Sequence, residues 1–222
     1  MQHLLLILVT ITCFSTSILD IKKPQVAVST RECNYLYQGV DNPVTIVARQ
    51  NQAVQANQIT AEIDVYDDSN KVFYAQVRGK NGEFSINPKQ DGQLTLKVKT
   101  KDGVWKKKFQ VRPIEPVPMF GGQKKNGVMS PLLFRAQGGV IPVLECCGFD
   151  ARCDIVEYSI IKISKDGVVQ RAKNTGRKFN DSNRPLIDSA QAGDIYWFRK
   201  ILCRCPGDTT AHETSDISID IE

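Results

Sequence analysis

The chain has 222 residues, 41% hydrophobic and 24% charged, with a formal charge of +5. That apolar share suits one large or two small domains, and the charge is too mild for a dedicated nucleic-acid binder, so no nucleic acid is expected as a partner. No apolar run reaches about 18 residues, so no transmembrane helix is expected.

At the N-terminus, Leu4-Leu5-Leu6-Ile7-Leu8-Val9-Thr10-Ile11 is a short apolar core followed by Ser15-Thr16-Ser17, small residues of the kind signal peptidase reads. Residues 1–17 are read as a signal peptide, with only the α-amine and His3 where basic residues usually stand. A buried N-terminal strand is the alternative. Cys13 is a candidate lipid anchor, although Ile11-Thr12 matches the usual small-residue box poorly. Residues 18–30 show no clear period and are read as an N-terminal arm.

Residues 31–112 form the first β domain. Tyr35-Leu36-Tyr37 and Val44-Thr45-Ile46 flank a breaker, Gly39 with Asp41-Asn42-Pro43, where the residue before proline is held extended. Ile63 and Val65 alternate with Glu62 and Asp64. Val72-Phe73-Tyr74-Ala75-Gln76-Val77 is a strand, and Asn81-Gly82 and Asp91-Gly92 are turns. Leu94, Leu96 and Val98, then Trp105, Phe109 and Val111, build a hairpin closed by Asp102-Gly103. Its lysines (Lys97, Lys99, Lys101, Lys106, Lys107, Lys108) mostly share the outer face, as a basic patch or as a solvated face that discourages edge pairing. No aromatic residue interleaves with them to stack bases.

Residues 113–119 are a Pro-rich linker, extended and stiff. Residues 120–222 form the second β domain. Its glycine-rich opening, Gly121 to Gly127, lacks the Gly-Lys-Ser/Thr ending of a phosphate loop and reads as a flexible loop. Val140 to Cys147 is strand-like. From Asp154 to Ser164, Val156, Tyr158 and Ile160 oppose Ile155 and Ile161. Pro185 to Ala192 is a short helix ended by Gly193. Asp194 to Cys205 is a long strand stopped by Pro206-Gly207, and Ile217, Ile219 and Ile221 mark a closing strand.

Past the leader only His212 remains, in a polar loop, so triad and Cys-His catalysis lack a positioned base and His-rich zinc chemistry is out. Glu145, Asp150, Asp154 and Glu157 read as exposed charges. No enzyme activity and no cofactor are expected. Six cysteines (Cys33, Cys146, Cys147, Cys153, Cys203, Cys205) remain after cleavage and are disulfide candidates, with fifteen possible connectivities. Cys203 and Cys205 share a strand face. The simplest arrangement is two cross-links between the 146–153 segment and the 203–205 strand. The rival is a thiolate metal site on Cys146, Cys147, Cys153, Cys203 and Cys205, which lacks paired Cys-x2-Cys knuckles.

Several phrases, in order, resemble the C-terminal region of the gliding-motility and type IX secretion protein family GldM. They are Tyr37-Gln38-Gly39-Val40-Asp41-Asn42-Pro43, Asp91-Gly92-Gln93-Leu94-Thr95-Leu96-Lys97-Val98, Phe109 through Pro118, Ala136-Gln137-Gly138-Gly139-Val140, Leu144-Glu145, Phe149-Asp150-Ala151-Arg152 and Ala192-Gly193-Asp194-Ile195-Tyr196-Trp197-Phe198. The resemblance spans residues 34–222. It implies an all-β fold: two consecutive immunoglobulin-like β-sandwich domains joined by the Pro-rich linker, with a short helix in the second. It also implies a non-catalytic scaffold or protein–protein interaction role in the envelope, with secretion or gliding components as partners and dimerisation as in the family. The location implied is exported, periplasmic or envelope-associated. The family's motor-coupling membrane helix has no counterpart here, so energy transduction is not implied, and the cysteines look like an addition to the family pattern. Asp188-Ser189-Ala190 and Asp208-Thr209-Thr210 resemble the Asp-Ser/Thr-apolar/Thr glycosylation motif of exported Bacteroidota proteins. An exported thiol or metal-binding protein is the alternative function.

Overall fold

A computed structural model describes residues 26–30, 34–48, 53–64, 72–101, 103–123, 125–144 and 151–222. The leader, Cys13, Cys33, Val65, Asp102, Cys146 and Cys147 lie outside them. Among the described residues the N-terminal body runs through β1 (Val26–Thr30), β2 (Tyr35–Tyr37), β3 (Asn42–Ala48), β4 (Ile59–Asp64), β5 (Val72–Tyr74), β6 (Gln76–Lys80), β7 (Glu83–Asn87), β8 (Gly92–Thr100) and β9 (Gly103–Arg112). These form two sheets, ordered β1-β3-β7-β6 and β2-β9-β8-β4-β5. Alternation sends Ile46, Phe84 and Ile86 of one sheet against Leu94, Leu96, Val98 and Phe109 of the other, all buried in one cluster.

The breaker after β2 moves the chain from one sheet to the other. Asn42 is buried, and its side chain accepts from the Tyr37 amide (2.7 Å) and donates to the carbonyls of Tyr37 (2.8 Å), Val40 (3.0 Å) and Ile86 (3.1 Å). A residue chosen by its place before proline therefore also staples the crossover with a fully satisfied buried amide.

Three expectations for the first body change. Val26–Thr30, read as part of an unpatterned arm, is β1 and pairs antiparallel with β3. Its two inward valines are too short a period to stand out in sequence. The single strand over 72–77 is instead β5 and β6, which belong to different sheets. Ala75 is the buried corner between them, its amide bonded to Ala61 O at 2.8 Å. Lys107 pairs with Leu96 and follows the inward parity of Trp105 and Phe109. Its stem crosses the core edge, with Nζ 5.0 Å from the Phe109 ring centroid and 3.0 Å from Val28 O. Lys97, Lys99, Lys106 and Lys108 hold the outer face, where Lys97 is ion-paired to Glu62.

The C-terminal body contains β10 (Val117–Met119), β11 (Asn126–Met129), α1 (Pro131–Arg135), β12 (Ile141–Val143), β13 (Asp154–Ile163), β14 (Val169–Thr175), α2 (Arg184–Asp188), β15 (Ile195–Arg204), β16 (His212–Glu213) and β17 (Ile217–Ile221). Its main sheet is ordered β11-β17-β15-β13-β14, with β16 on β15 and a separate β10–β12 ribbon. The end of the Pro-rich stretch is therefore paired strand, and the glycine-rich loop turns at Gly121-Gly122 before entering β11 at Asn126.

One face of this sheet is covered. Phe120, Phe134 of α1 and Ile187 of α2 pack with Tyr158, Ile160, Tyr196, Phe198 and Ile219. The Phe120 and Phe198 rings stack at 4.6 Å, and Phe134 lies 4.3 Å from Tyr196. β13 does not alternate simply: its register with β15 shifts around Glu157, so Ile155 and Tyr158 both face inward. At the edge of this core Lys162 Nζ meets Asp194 Oδ2 at 3.0 Å, both side chains under 10% exposed. The ammonium also donates to Ser189 O and Oγ, so the buried pair is fully satisfied. The all-β tandem of immunoglobulin-like sandwiches holds. In the second body the layer opposite the sheet is a two-strand ribbon with two one-turn helices.

Candidate functional site

Two places combine unusual chemistry with exposure. The first is the corner between the bodies. Tyr37, Val40 and Ile114 form a small buried cluster with Cys153 and Cys205. Gln38 Nε2 donates to Lys89 O on one side and to Gly207 O, 3.0 Å away, on the other. Gly39 has φ +78°, and a Cβ there would lie 2.3 Å from Gly207 N. Gly39 is thus required both by its left-handed backbone and by contact with the second body.

Cys153 and Cys205 are joined by a disulfide across 52 residues, tying the start of β13 to the end of β15. The expected two cross-links reduce to this one among the described cysteines. Cys203 is an unbonded thiol at the same strand end, buried in the main core and 4.0 Å from Thr214 Oγ1. Burial raises its pKa, so it is a poor nucleophile. Cys203 and Cys205 do keep one parity, but β15 ends at Arg204, so Cys205 leaves the main core for the corner cluster. Cys33, Cys146 and Cys147 lie outside the described residues. The thiolate set of Cys146, Cys147, Cys153, Cys203 and Cys205 loses Cys153 and Cys205 to the bond in this state.

Past Cys205 the Pro206-Gly207 turn brings Asp208 back: its Oδ2 accepts the Cys205 amide at 2.7 Å and lies 3.1 Å from His212 Nδ1. The loop histidine is therefore positioned after all, by a carboxylate four residues before it. Read as a polar loop, this segment hid its signal in the Cys-x2-Asp-x3-His spacing. Of the two glycosylation-like motifs, Ser189 Oγ is engaged by Lys162 and Leu186 O, whereas Thr209 is exposed.

The second place is the face of the main sheet that no described element covers. The registers set Asn126, Ser218, Trp197, Ile161 and Arg171 in one row across β11, β17, β15, β13 and β14. The next row is Val128, Asp220, Ile195, Ile163 and Val169. Trp197 is 39% exposed, and Val128 and Val169 about half exposed. Beside this stripe β15 bulges at Lys200, whose φ is +52°. Asp216 supports the bulge, accepting the Lys200 amide at 3.1 Å and Arg199 Nε at 2.9 Å. Shallow depressions flank Arg199, one lined by Ile161, Arg171, Lys173 and Lys200, the other by Asn126, Trp197 and Ser218. The face is apolar in the middle and cationic along the Arg171–Lys200 side. Its sequence signal is the parity of Trp197 against buried Tyr196 and Phe198.

Among the described residues no helix is long and apolar enough to cross a membrane. No curated protein matches the chain. Solved structures that align with it include the N-terminal four Ig domains of Dscam1 isoform 4.44 (TM-score 0.28, 8% identity, 85% of this chain and 43% of that one). Titin domains z1z2 in complex with telethonin align at TM-score 0.28 and 12% identity, over 88% of this chain and 96% of that one. Three N-terminal domains of the bacteriophage RB49 capsid protein Hoc align at TM-score 0.27 and 9% identity, over 89% and 70%. The chain thus spans under half the length of the Dscam1 structure. Family profiles are more specific: residues 25–112 match the GldM third domain and residues 105–222 the GldM C-terminal domain, so the chain belongs to the GldM family.

Proposed function

We propose that this protein is a non-catalytic, exported member of the cell envelope that holds a partner protein of the secretion and gliding machinery on the outer face of its second main sheet. In this reading a signal peptide (1–17) is removed, and two β bodies, 26–112 and 117–222 joined at 113–116, present that face at a fixed angle. The observation that carries the reading is the uncovered apolar stripe around Trp197 with its cationic margin. An aromatic anchor in an apolar patch supplies affinity, and the adjacent charges select a partner with an acidic rim. This reading stays non-catalytic because Cys203, the free thiol among the described residues, is buried with a raised pKa and is a poor nucleophile.

The test places a photo-crosslinking residue at position 197 of the full chain in the living cell. The expected outcome is a crosslink to a secretion or gliding component that Arg171→Glu weakens. Crosslinks confined to unrelated proteins would overturn the reading. A second copy of the chain on the same face would appear as a self-crosslink and replace the partner by a homodimer.

A further inference from the structure

Donor atoms of Cys205, Asp208 and His212 all lie within 4.8 Å of one another, and Cys153 Sγ is bonded to Cys205 Sγ in the same place. Tetrahedral zinc with bonds of about 2.0–2.3 Å spaces its ligand atoms roughly 3.3–3.8 Å apart, so this set needs to close by only about 1 Å. Both cysteines are buried, and the Asp208 side chain is 12% exposed. His212 Nδ1 lies 3.1 Å from Asp208 Oδ2, close to the spacing of two neighbouring ligand atoms on one ion. Nε2 is buried and has no hydrogen-bond partner, and it carries the ring proton when Nδ1 gives its lone pair to the ion. The polar cleft between Lys89, Asp91 and Glu115 on one side and Asp208, Thr210 and His212 on the other gives an aqueous approach.

We propose that reduction of the Cys153–Cys205 disulfide turns this corner into a zinc site with Cys153, Cys205, Asp208 and His212 as ligands. A dithiol reductant supplies the two electrons and two protons. Its own sulfurs join, the Cys153–Cys205 bond breaks, and two thiols form. Zinc then binds both sulfurs as thiolates and releases the two protons, while Asp208 contributes a carboxylate oxygen and His212 its Nδ1 lone pair. The disulfide and the zinc site are alternative clamps on the same loop, and neither depends on the docking face around Trp197.

The test uses the full mature chain carrying Cys33→Ser, Cys146→Ser and Cys147→Ser, which keeps all four ligands and leaves buried Cys203 as the one further cysteine. The protein is treated with a phosphine reductant, mixed with zinc chloride and freed of excess by gel filtration. Metal content is then measured, and cobalt is substituted for its spectrum. The expected result is about one zinc per reduced chain, little in the oxidised chain, and the thiolate-to-cobalt and d–d bands of a tetrahedral site. His212→Ala and Asp208→Ala should each weaken zinc at least tenfold while the oxidised proteins keep the parental circular dichroism. A folded reduced chain that retains no zinc overturns the proposal. So does zinc binding unchanged by both substitutions, or a reduced chain that unfolds and is not refolded by zinc.

Discussion

Replacing Gly39 by alanine tests whether the two bodies are coupled at their corner. Gly39 and Gly167 share φ +78°, but a Cβ at Gly39 would lie 2.3 Å from Gly207 N and Pro206 C, while a Cβ at Gly167 meets nothing within 4 Å. Placing alanine in the left-handed region costs about 1–2 kcal/mol at either site. Gly39→Ala must in addition push the Pro206-Gly207 backbone away, and forced overpacking of this kind costs about 1–3 kcal/mol. The Gln38 Nε2 bond to Gly207 O is strained by the same displacement. Gly39→Ala should therefore be less stable than Gly167→Ala by about 1–3 kcal/mol, read from urea denaturation with both bodies monitored. Limited proteolysis should also cut Gly39→Ala faster near residues 113–116. Equal stability losses for the two variants would refute a rigid corner and show that Gly39 answers only to its own backbone.

Further outcomes follow from the same structure. Serine at Cys153 and Cys205 together should cost about 4 kcal/mol by loop entropy for a 52-residue separation, measured by denaturation against the oxidised parent. Lys162→Met leaves the Asp194 carboxylate buried without its cation and should cost about 3–5 kcal/mol, whereas Lys162→Met with Asp194→Leu should recover much of it. Burial alone would raise the Asp194 pKa, but the Gln191 amide, the Lys162 ammonium and the Lys165 amide outweigh it and hold it below 3.8. Its stabilisation is then fully present above the unfolded carboxyl value and is lost as pH falls through the lower folded value, so Asp194→Asn should flatten the acid limb of a stability–pH curve. Trp197→Asp should change stability by about 1 kcal/mol or less, because its ring lies on the uncovered face, while abolishing crosslinking from neighbouring positions on that face.

Much of the strand content was legible because alternation survives wherever one face is buried: Leu94, Leu96 and Val98, or Tyr196 and Phe198, announce their sheets. What escaped were events that break the period. Ala75 switches sheets in the middle of an apolar run, and the shift around Glu157 turns both Ile155 and Tyr158 inward. Lys107 sits on the buried parity because its long stem reaches past the core edge, which residue type alone argues against. Lys162 and Asp194 are 32 positions apart and become partners only when β13 lies beside the turn before β15. The corner was half legible. Its cysteines stood out by count, but their partners Asp208 and His212 take on meaning only once the Pro206-Gly207 turn folds them back.

Among the described strands two pairings are parallel, and they bear on how the protein carries load. In the first body β2 lies parallel to β9, which ends where the chain leaves for the second body. In the second, β11 lies parallel to β17, the final strand. Tension entering upstream of the first strand of such a pair and leaving downstream of the second slides the two past each other. Their ladder bonds are then strained together, not opened one at a time. Each body is thus geared to resist stretching along the chain axis. Single-molecule pulling through the termini should rupture these pairs at higher force than pulling across the β8–β9 hairpin, and equal forces would show that strand direction confers no mechanical advantage.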